Sequence, residues 1–179
     1  IKQGYKNYAL LIFIFMGSII AKKRLRSYTP ENTEYYHFDD QKFYCKVVDV
    51  YDGDTITVIV RLNKGFYKYK VRMSGYDSPE MKPRLNNINR EQIIADANRA
   101  KKVLSELILN KIVVIHVQNK TWDKYGRLLG VVYSQIPKRG ITMKSYRFNV
   151  NEYMIERGLG YVYNGGTKKT LSQHRRGTA

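Results

Sequence analysis

Two runs of β-branched residues, Val47–Val50 and Thr55–Val60, are separated only by Tyr51-Asp52-Gly53-Asp54, and this break constrains the fold more than any other stretch. Valine, isoleucine and threonine favour strands, while Asp-Gly favours a tight reversal, so the segment reads as two strands broken by an acidic turn, with Asp54 opening the second. Lys68 to Met73 reads as a later strand leading into a Gly75–Pro79 turn, and the order Arg72-Met73-Ser74-Gly75-Tyr76-Asp77-Ser78-Pro79-Glu80 places a second group of acids at a strand end beside an arginine. Asp54, Asp77 and Glu80 then converge at one end of a small sheet. Hard oxygen ligands on turns suit Ca²⁺, and a guanidinium fork beside them bonds two oxygens of a phosphate at once. Each stretch taken alone also reads as an ordinary turn with solvated carboxylates.

A third stretch, Asp123-Lys124-Tyr125-Gly126-Arg127, tips the balance. Together the three resemble the staphylococcal nuclease (thermonuclease) family, whose pattern is Asp-Gly-Asp-Thr, an arginine in a strand, Asp-(Thr/Ala/Ser)-Pro-Glu, and Asp-x-Tyr-Gly-Arg. The resemblance covers Phe43 to Tyr163 and keeps the motifs in order at compatible spacing. It implies a Ca²⁺-dependent nuclease that hydrolyses phosphodiester bonds of DNA or RNA. On this resemblance Asp54 and Asp77 are metal ligands, joined by Ser78 through its backbone carbonyl, with Asp52 behind them. Glu80 matches the glutamate that orients or deprotonates the attacking water, and Arg72 and Arg127 match the two arginines that clamp the phosphate. Lys124 and Tyr125 match contacts to a terminal phosphate. Tyr161 and Tyr163 resemble a base-stacking pair, although a shorter preceding loop leaves a second reading open in which both tyrosines pack the barrel.

The rest of the chain is consistent with one domain and an appendage, as its 179 residues suggest. Phe43 to Val60 and Phe66 to Met73 give three strands, the last two joined by a turn at Asn63-Lys64-Gly65. Arg90 to Leu109 reads as a helix capped by Asn89, with Ile93, Ile94, Ala97, Ala100, Leu104, Leu107 and Ile108 on one stripe. Lys111 to Val117 and Leu128 to Tyr133 are two further strands, and Val150 to Arg157 is a short helix capped by Asn149 and ended by Gly158. The order β-β-β-α-β-β-α matches an α+β, mainly β architecture: a five-stranded barrel of the oligonucleotide-binding (OB) type with packed helices. The resemblance implies the same fold. A lone cysteine, Cys45, excludes an internal disulfide and reads as a strand residue, and His116 has no second histidine nearby to make it a ligand.

Charge bears on the partner. Lys and Arg total 32 against 15 Asp and Glu, and after position 40 there are 26 basic and 11 acidic residues, so the domain itself carries +15. A field of that sign attracts polyanions, nucleic acid first and anionic membrane second. Lys82 and Arg84 follow the acidic turn, and Ser134 to Phe148 holds Lys138, Arg139, Lys144 and Arg147; phosphate contacts and solvated loops are both open readings for them. The competing function is a non-catalytic module of the same fold that binds nucleic acid or protein, which would have lost the acidic and arginine set; here the set is intact. A monomer is expected.

Residues 1–40 form an N-terminal segment and linker, and 41–179 the nuclease-like domain. Ala9 to Ala21 is apolar and Lys22-Lys23-Arg24-Leu25-Arg26 follows at once. Residues 5–26 therefore suggest membrane association by one of two routes: a marginal single-span anchor with its basic flank cytoplasmic, or a start at Met16 that exposes Gly17 for myristoylation. A cleaved signal and an incidental apolar leader are the remaining readings. The C-terminal segment from Thr167 reads as a short form of the family's long basic helix or as an incomplete end.

Overall fold

A computed structural model of the chain describes residues 20–33, 38–62, 65–135, 147–163 and 165. The chain divides into two compact units, residues 1–37 and 38–179. In the first, residues 20–25 are helical and exposed. The rest of the apolar run, the Asn63-Lys64 corner, the basic residues Lys138, Arg139 and Lys144, and the C-terminal segment from Thr167 lie outside the described residues.

The second unit is built on a barrel. Strands β1 (Lys42–Val50), β2 (Thr55–Leu62), β3 (Gly65–Met73), β5 (Ile112–Trp122) and β6 (Leu128–Ser134) pair in the ring β3-β2-β1-β5-β6, and a short parallel pairing of β3 with β6 closes it. Alternation explains the strands. In β2, Ile56, Val58 and Val60 point into the core while Thr57, Ile59 and Arg61 point out. Cys45 and Val47 of β1, Val71 and Met73 of β3, Val113, Ile115 and Val117 of β5, and Leu128 and Val132 of β6 complete that core. A bulge between Val47 and Asp49 shifts the register of β1, which twists the strand at the end where the acidic turn begins. Cys45 is buried in this core as a packing residue, and burial pushes its thiol up to about 12, which disfavours the thiolate.

Helix α1 (Arg90–Ile108) lies on the barrel through Ala97, Ala100, Leu104 and Ile108. The expected stripe is present, but the expected cap is only positional: Asn89 stands at the N-cap without a side-chain hydrogen bond. In helix α2 (Val150–Glu156) the cap does form, with the Asn149 side chain accepting from the amides of Asn151 and Glu152. Asn151 is buried and ties α2 to the barrel, accepting from the Val132 amide at 3.0 Å and donating to the Ser74 carbonyl at 2.8 Å. His116 Nε2 lies within hydrogen-bond distance, 2.7 Å, of Oδ1 of the exposed Asp40.

Three two-residue strands extend this frame: β4 (Tyr76–Asp77), β7 (Phe148–Asn149) and β8 (Tyr161–Val162). β4 and β8 pair with each other, Tyr76 opposite Val162 and Asp77 opposite Tyr161. The stretch read as a plain Gly75–Pro79 turn is therefore half strand. Its partner lies 84 residues away, so no local pattern marks it. β5 also runs to Trp122, beyond the expected end at Val117, through a register irregularity after Val117.

Candidate active site

The acidic turn and the end of β3 meet where the barrel closes. Thr55 is paired with Arg72 across β2 and β3, and Arg72 is paired with Leu129 across β3 and β6. Because Val71 and Met73 point into the core, Arg72 between them points outward, over the Asp52–Asp54 turn. Close packing fixes that turn. A Cβ on Gly53 would stand 2.7 Å from the Ser78 Cβ and 2.8 Å from the Ala100 Cβ, so only glycine lets the turn seat between α1 and the Asp77–Pro79 segment. The Tyr76 hydroxyl, fully buried, donates to the Gly53 carbonyl and pins the turn from the other side.

At the centre, one guanidinium spans two carboxylates. Arg72 Nη1 donates to Asp54 Oδ1 and Nη2 to Asp77 Oδ1. Asp54 and Asp77 are 1% and 2% exposed, so they are carboxylates with almost no access to water. Their remaining oxygens are also engaged: Asp54 Oδ2 accepts from the Ser78 amide at 2.7 Å, and Asp77 Oδ2 accepts from the Tyr161 hydroxyl at 2.8 Å. Thr55 donates its hydroxyl to Asp54 Oδ1 at 3.0 Å, and Asp52 accepts from the Asp54 amide at 3.1 Å.

One cation does not neutralise two buried anions. Burial is the main force on Asp54, and Arg72 offsets it only in part while Asp52 and Asp77 add repulsion, so its carboxyl is pushed up to about 6. Burial works against the charge of Arg72 too, but there Asp54 and Asp77 outweigh it and raise the pKa.

The second arginine arrives from the β5–β6 connection. Asp123 Oδ1 accepts from the amides of Tyr125 and Arg127 at 2.8 and 2.9 Å, and Gly126 at φ 73° completes the turn. Asp123 Oδ2 accepts from Arg127 Nε at 2.6 Å, which aims the guanidinium so that Nη1 donates to the Thr55 hydroxyl at 3.2 Å. Burial opposes ionisation of Asp123, but these bonds to Arg127 and Tyr125 win and hold its carboxyl below the usual range. Tyr125 is 71% exposed, with Lys124 Nζ 5.0 Å and Arg127 Cζ 5.3 Å from its ring centroid.

Arg72, Asp54, Asp77 and Ser78 thus form one hydrogen-bonded cluster, and Arg127 joins it through Thr55. Glu80 lies two residues beyond Ser78 and is exposed. Tyr161 is 4% exposed with its hydroxyl on Asp77, which makes it the residue that orients Asp77. Tyr163 is half-buried, its amide donating to the Gly75 carbonyl at 3.0 Å. Among the described residues no three His, Cys, Asp or Glu side chains gather as a metal cage. Three contributors had escaped the sequence reading: Thr55 as the link between the arginines, Tyr76 as the pin on Gly53, and Tyr161 as the partner of Asp77. Only the threonine had a signal, its place directly after Asp54.

The fold and site define a closed five-stranded barrel of the OB type that carries paired acids and two arginines at one end. Residues 70–176 match the model of the family described as staphylococcal nuclease homologue, and the chain belongs to that family. It is 32% identical over 123 residues to an uncharacterized endonuclease of Haemophilus influenzae, a match covering 69% of this chain and 54% of that protein. It is 31% identical over 128 residues to a micrococcal nuclease of Shigella flexneri, covering 72% of this chain and 63% of that protein. The chain therefore spans less than two thirds of the length of either relative.

Asp54 gives a test of the cluster's electrostatics. Its folded pKa lies above the ordinary aspartate value of 3.8, so its favourable contribution is complete below pH 4 and lost as pH rises through about 6. In chelator, Asp54→Asn should therefore gain stability relative to the parent between pH 4 and pH 7, by about 1–3 kcal/mol at roughly 1.4 kcal/mol per pKa unit. Urea unfolding across that range measures the gap. A flat gap, or one that moves in the parent's favour, contradicts the assignment.

Proposed function

We propose that this chain is a nuclease that hydrolyses phosphodiester bonds of DNA or RNA with Ca²⁺ as its metal. The observation that carries the reading is the buried Asp54–Asp77 pair, whose charge a single Arg72 leaves incompletely neutralised. A divalent cation suits that residual charge, and an all-oxygen donor set suits Ca²⁺ over zinc. Asp54 and Asp77 would hold it with the Ser78 carbonyl, and water would fill the remaining positions. When bound, the metal supplies Lewis-acid stabilisation of a phosphoryl oxygen.

The remaining work falls to side chains of the chain itself. Arg72 approaches the carboxylate pair from β3 and Arg127 approaches Thr55 from the β5–β6 turn, and their forks bond the non-bridging oxygens as charge builds on phosphorus. Glu80, exposed two residues after Ser78, takes the proton of the attacking water. Lys124 and Tyr125 hold a terminal phosphate, Tyr161 keeps Asp77 oriented, and Tyr163 lies against the substrate base.

No helix of the described residues is long and apolar enough to cross a membrane. For residues 5–26 we propose membrane association, supported by the apolar run and by the exposed helical turn that presents Lys22, Lys23 and Arg24 behind it. Recovery of unprocessed chain entirely in the soluble fraction at low salt contradicts it.

The nuclease reading is tested by incubating the protein with single-stranded DNA, duplex DNA and RNA in Ca²⁺ or in a Ca²⁺-selective chelator. Cleavage should require Ca²⁺, and Glu80→Gln, Arg72→Lys and Arg127→Lys should each lower kcat by about 10²–10³. Cleavage that persists in chelator removes the metal assignment, and a folded variant that cleaves at the parent rate removes that residue's role.

A further inference from the structure

Arg72 is the last member of a row. On β3, residues two apart share a face, so Lys70, Lys68 and Phe66 stand on the same outward side as Arg72. All three are exposed, Phe66 to 73%. At about 3.3–3.4 Å per residue the row steps away from the site in intervals of roughly 6.6 Å, and it reaches Phe66 about 20 Å from Arg72. The neighbouring strand continues the same surface. Thr57 pairs with Lys70, Ile59 with Lys68, and Arg61 with Phe66, and paired residues present their side chains to one face. Lys46 of β1 pairs with Ile59 and adds a further exposed cation.

The charge of this face is one-sided. Across β1, β2 and β3 the outward register holds Lys46, Arg61, Lys68 and Lys70, and its one acid is Asp49, which pairs with Thr57 two strands from Lys70. Among the described residues neither the Lys68 nor the Lys70 ammonium forms an ion pair. A straight line of cations ending in an exposed aromatic ring matches a single strand, whose phosphates can follow the lysines while an unpaired base stacks on the ring.

We propose that this outward face of β3 and β2, from Arg72 through Lys70 and Lys68 to Arg61 and Phe66, is a track that binds an extended single strand leading away from the scissile phosphate. The proposal rests on the hydrolytic reading of the acidic cluster for its direction. It makes substrate length a determinant of affinity. A strand long enough to cover the row gains contacts that a dinucleotide cannot reach.

The test compares the full chain with Lys68→Glu/Lys70→Glu and with Phe66→Ala on a dinucleotide and on a single-stranded 15-mer. All three positions are exposed, so unfolding midpoints should match the parent; Lys68→Gln/Lys70→Gln serves if charge reversal disturbs folding. For the 15-mer, KM should rise at least tenfold in the lysine variant and about fivefold in Phe66→Ala, the latter corresponding to about 1 kcal/mol of stacking. For both, kcat should stay unchanged, and the dinucleotide should show no change at all. Binding of labelled 15-mer to the Glu80→Gln protein should lose about 1.4 from its logarithmic salt slope when the two lysines are removed. That binding measurement keeps the track testable if the parent cleaves nothing, in which case the nuclease reading fails by itself. Equal losses on dinucleotide and 15-mer, unchanged 15-mer binding, duplex binding that suffers as much as single-strand binding, or loss confined to phosphatidylserine vesicles would each overturn the proposal.

Discussion

A single guanidinium shared by two carboxylates shielded from water organises this end of the molecule. Ionised carboxylates are costly to bury, and Arg72 meets that cost for Asp54 and Asp77 only jointly. The rest of the local structure serves to hold the three groups in place. Gly53 lets the acidic turn approach α1, Tyr76 fastens that turn, Ser78 and Tyr161 satisfy the outer oxygens, and the β3–β6 pairing fixes the backbone of Arg72. Two buried carboxylates face one guanidinium, and that imbalance gives the cluster a use for a further cation.

The acidic cluster and the basic face divide the work by burial. Asp54 and Asp77 are held rigidly, with every oxygen in a hydrogen bond, as a reacting centre requires. Lys68, Lys70 and Phe66 are exposed, as suits contacts that must form and release with a flexible strand. Arg72 belongs to both. It closes the carboxylate pair and begins the outward row, and in the proposed track it is where a phosphate passing along the lysines would meet the acids.

Much of this was legible in the sequence, and the limits have physical causes. Runs of β-branched and other apolar residues located β1, β2, β3 and β6, and the stripe from Ala97 to Ile108 located α1. The convergence of Asp54, Asp77 and Arg72 followed from acids at strand ends. β4 and β8 escaped because two residues carry no period and their pairing is purely tertiary. The end of β5 escaped because Gln118 to Thr121 has no apolar alternation. Asn89 and Asn149 are the same residue type before a helix, yet only Asn149 bonds the first turn; cap geometry depends on the approach of the preceding chain, which composition does not encode. Tyr161 read as an open stacking surface or a packing residue, and its bond to Asp77 depends on the β4–β8 pairing.

The most direct measurement is a double-mutant cycle between Arg72 and Asp77. Arg72→Met, Asp77→Asn and the double variant are unfolded in urea at pH 7 in chelator, so that the cycle reads the bare cluster. If the guanidinium neutralises the buried carboxylates, the pair should show a coupling of about 2–3 kcal/mol, at the upper end for contacting charged residues. A coupling below about 0.5 kcal/mol, within the range of independent sites, would contradict the account.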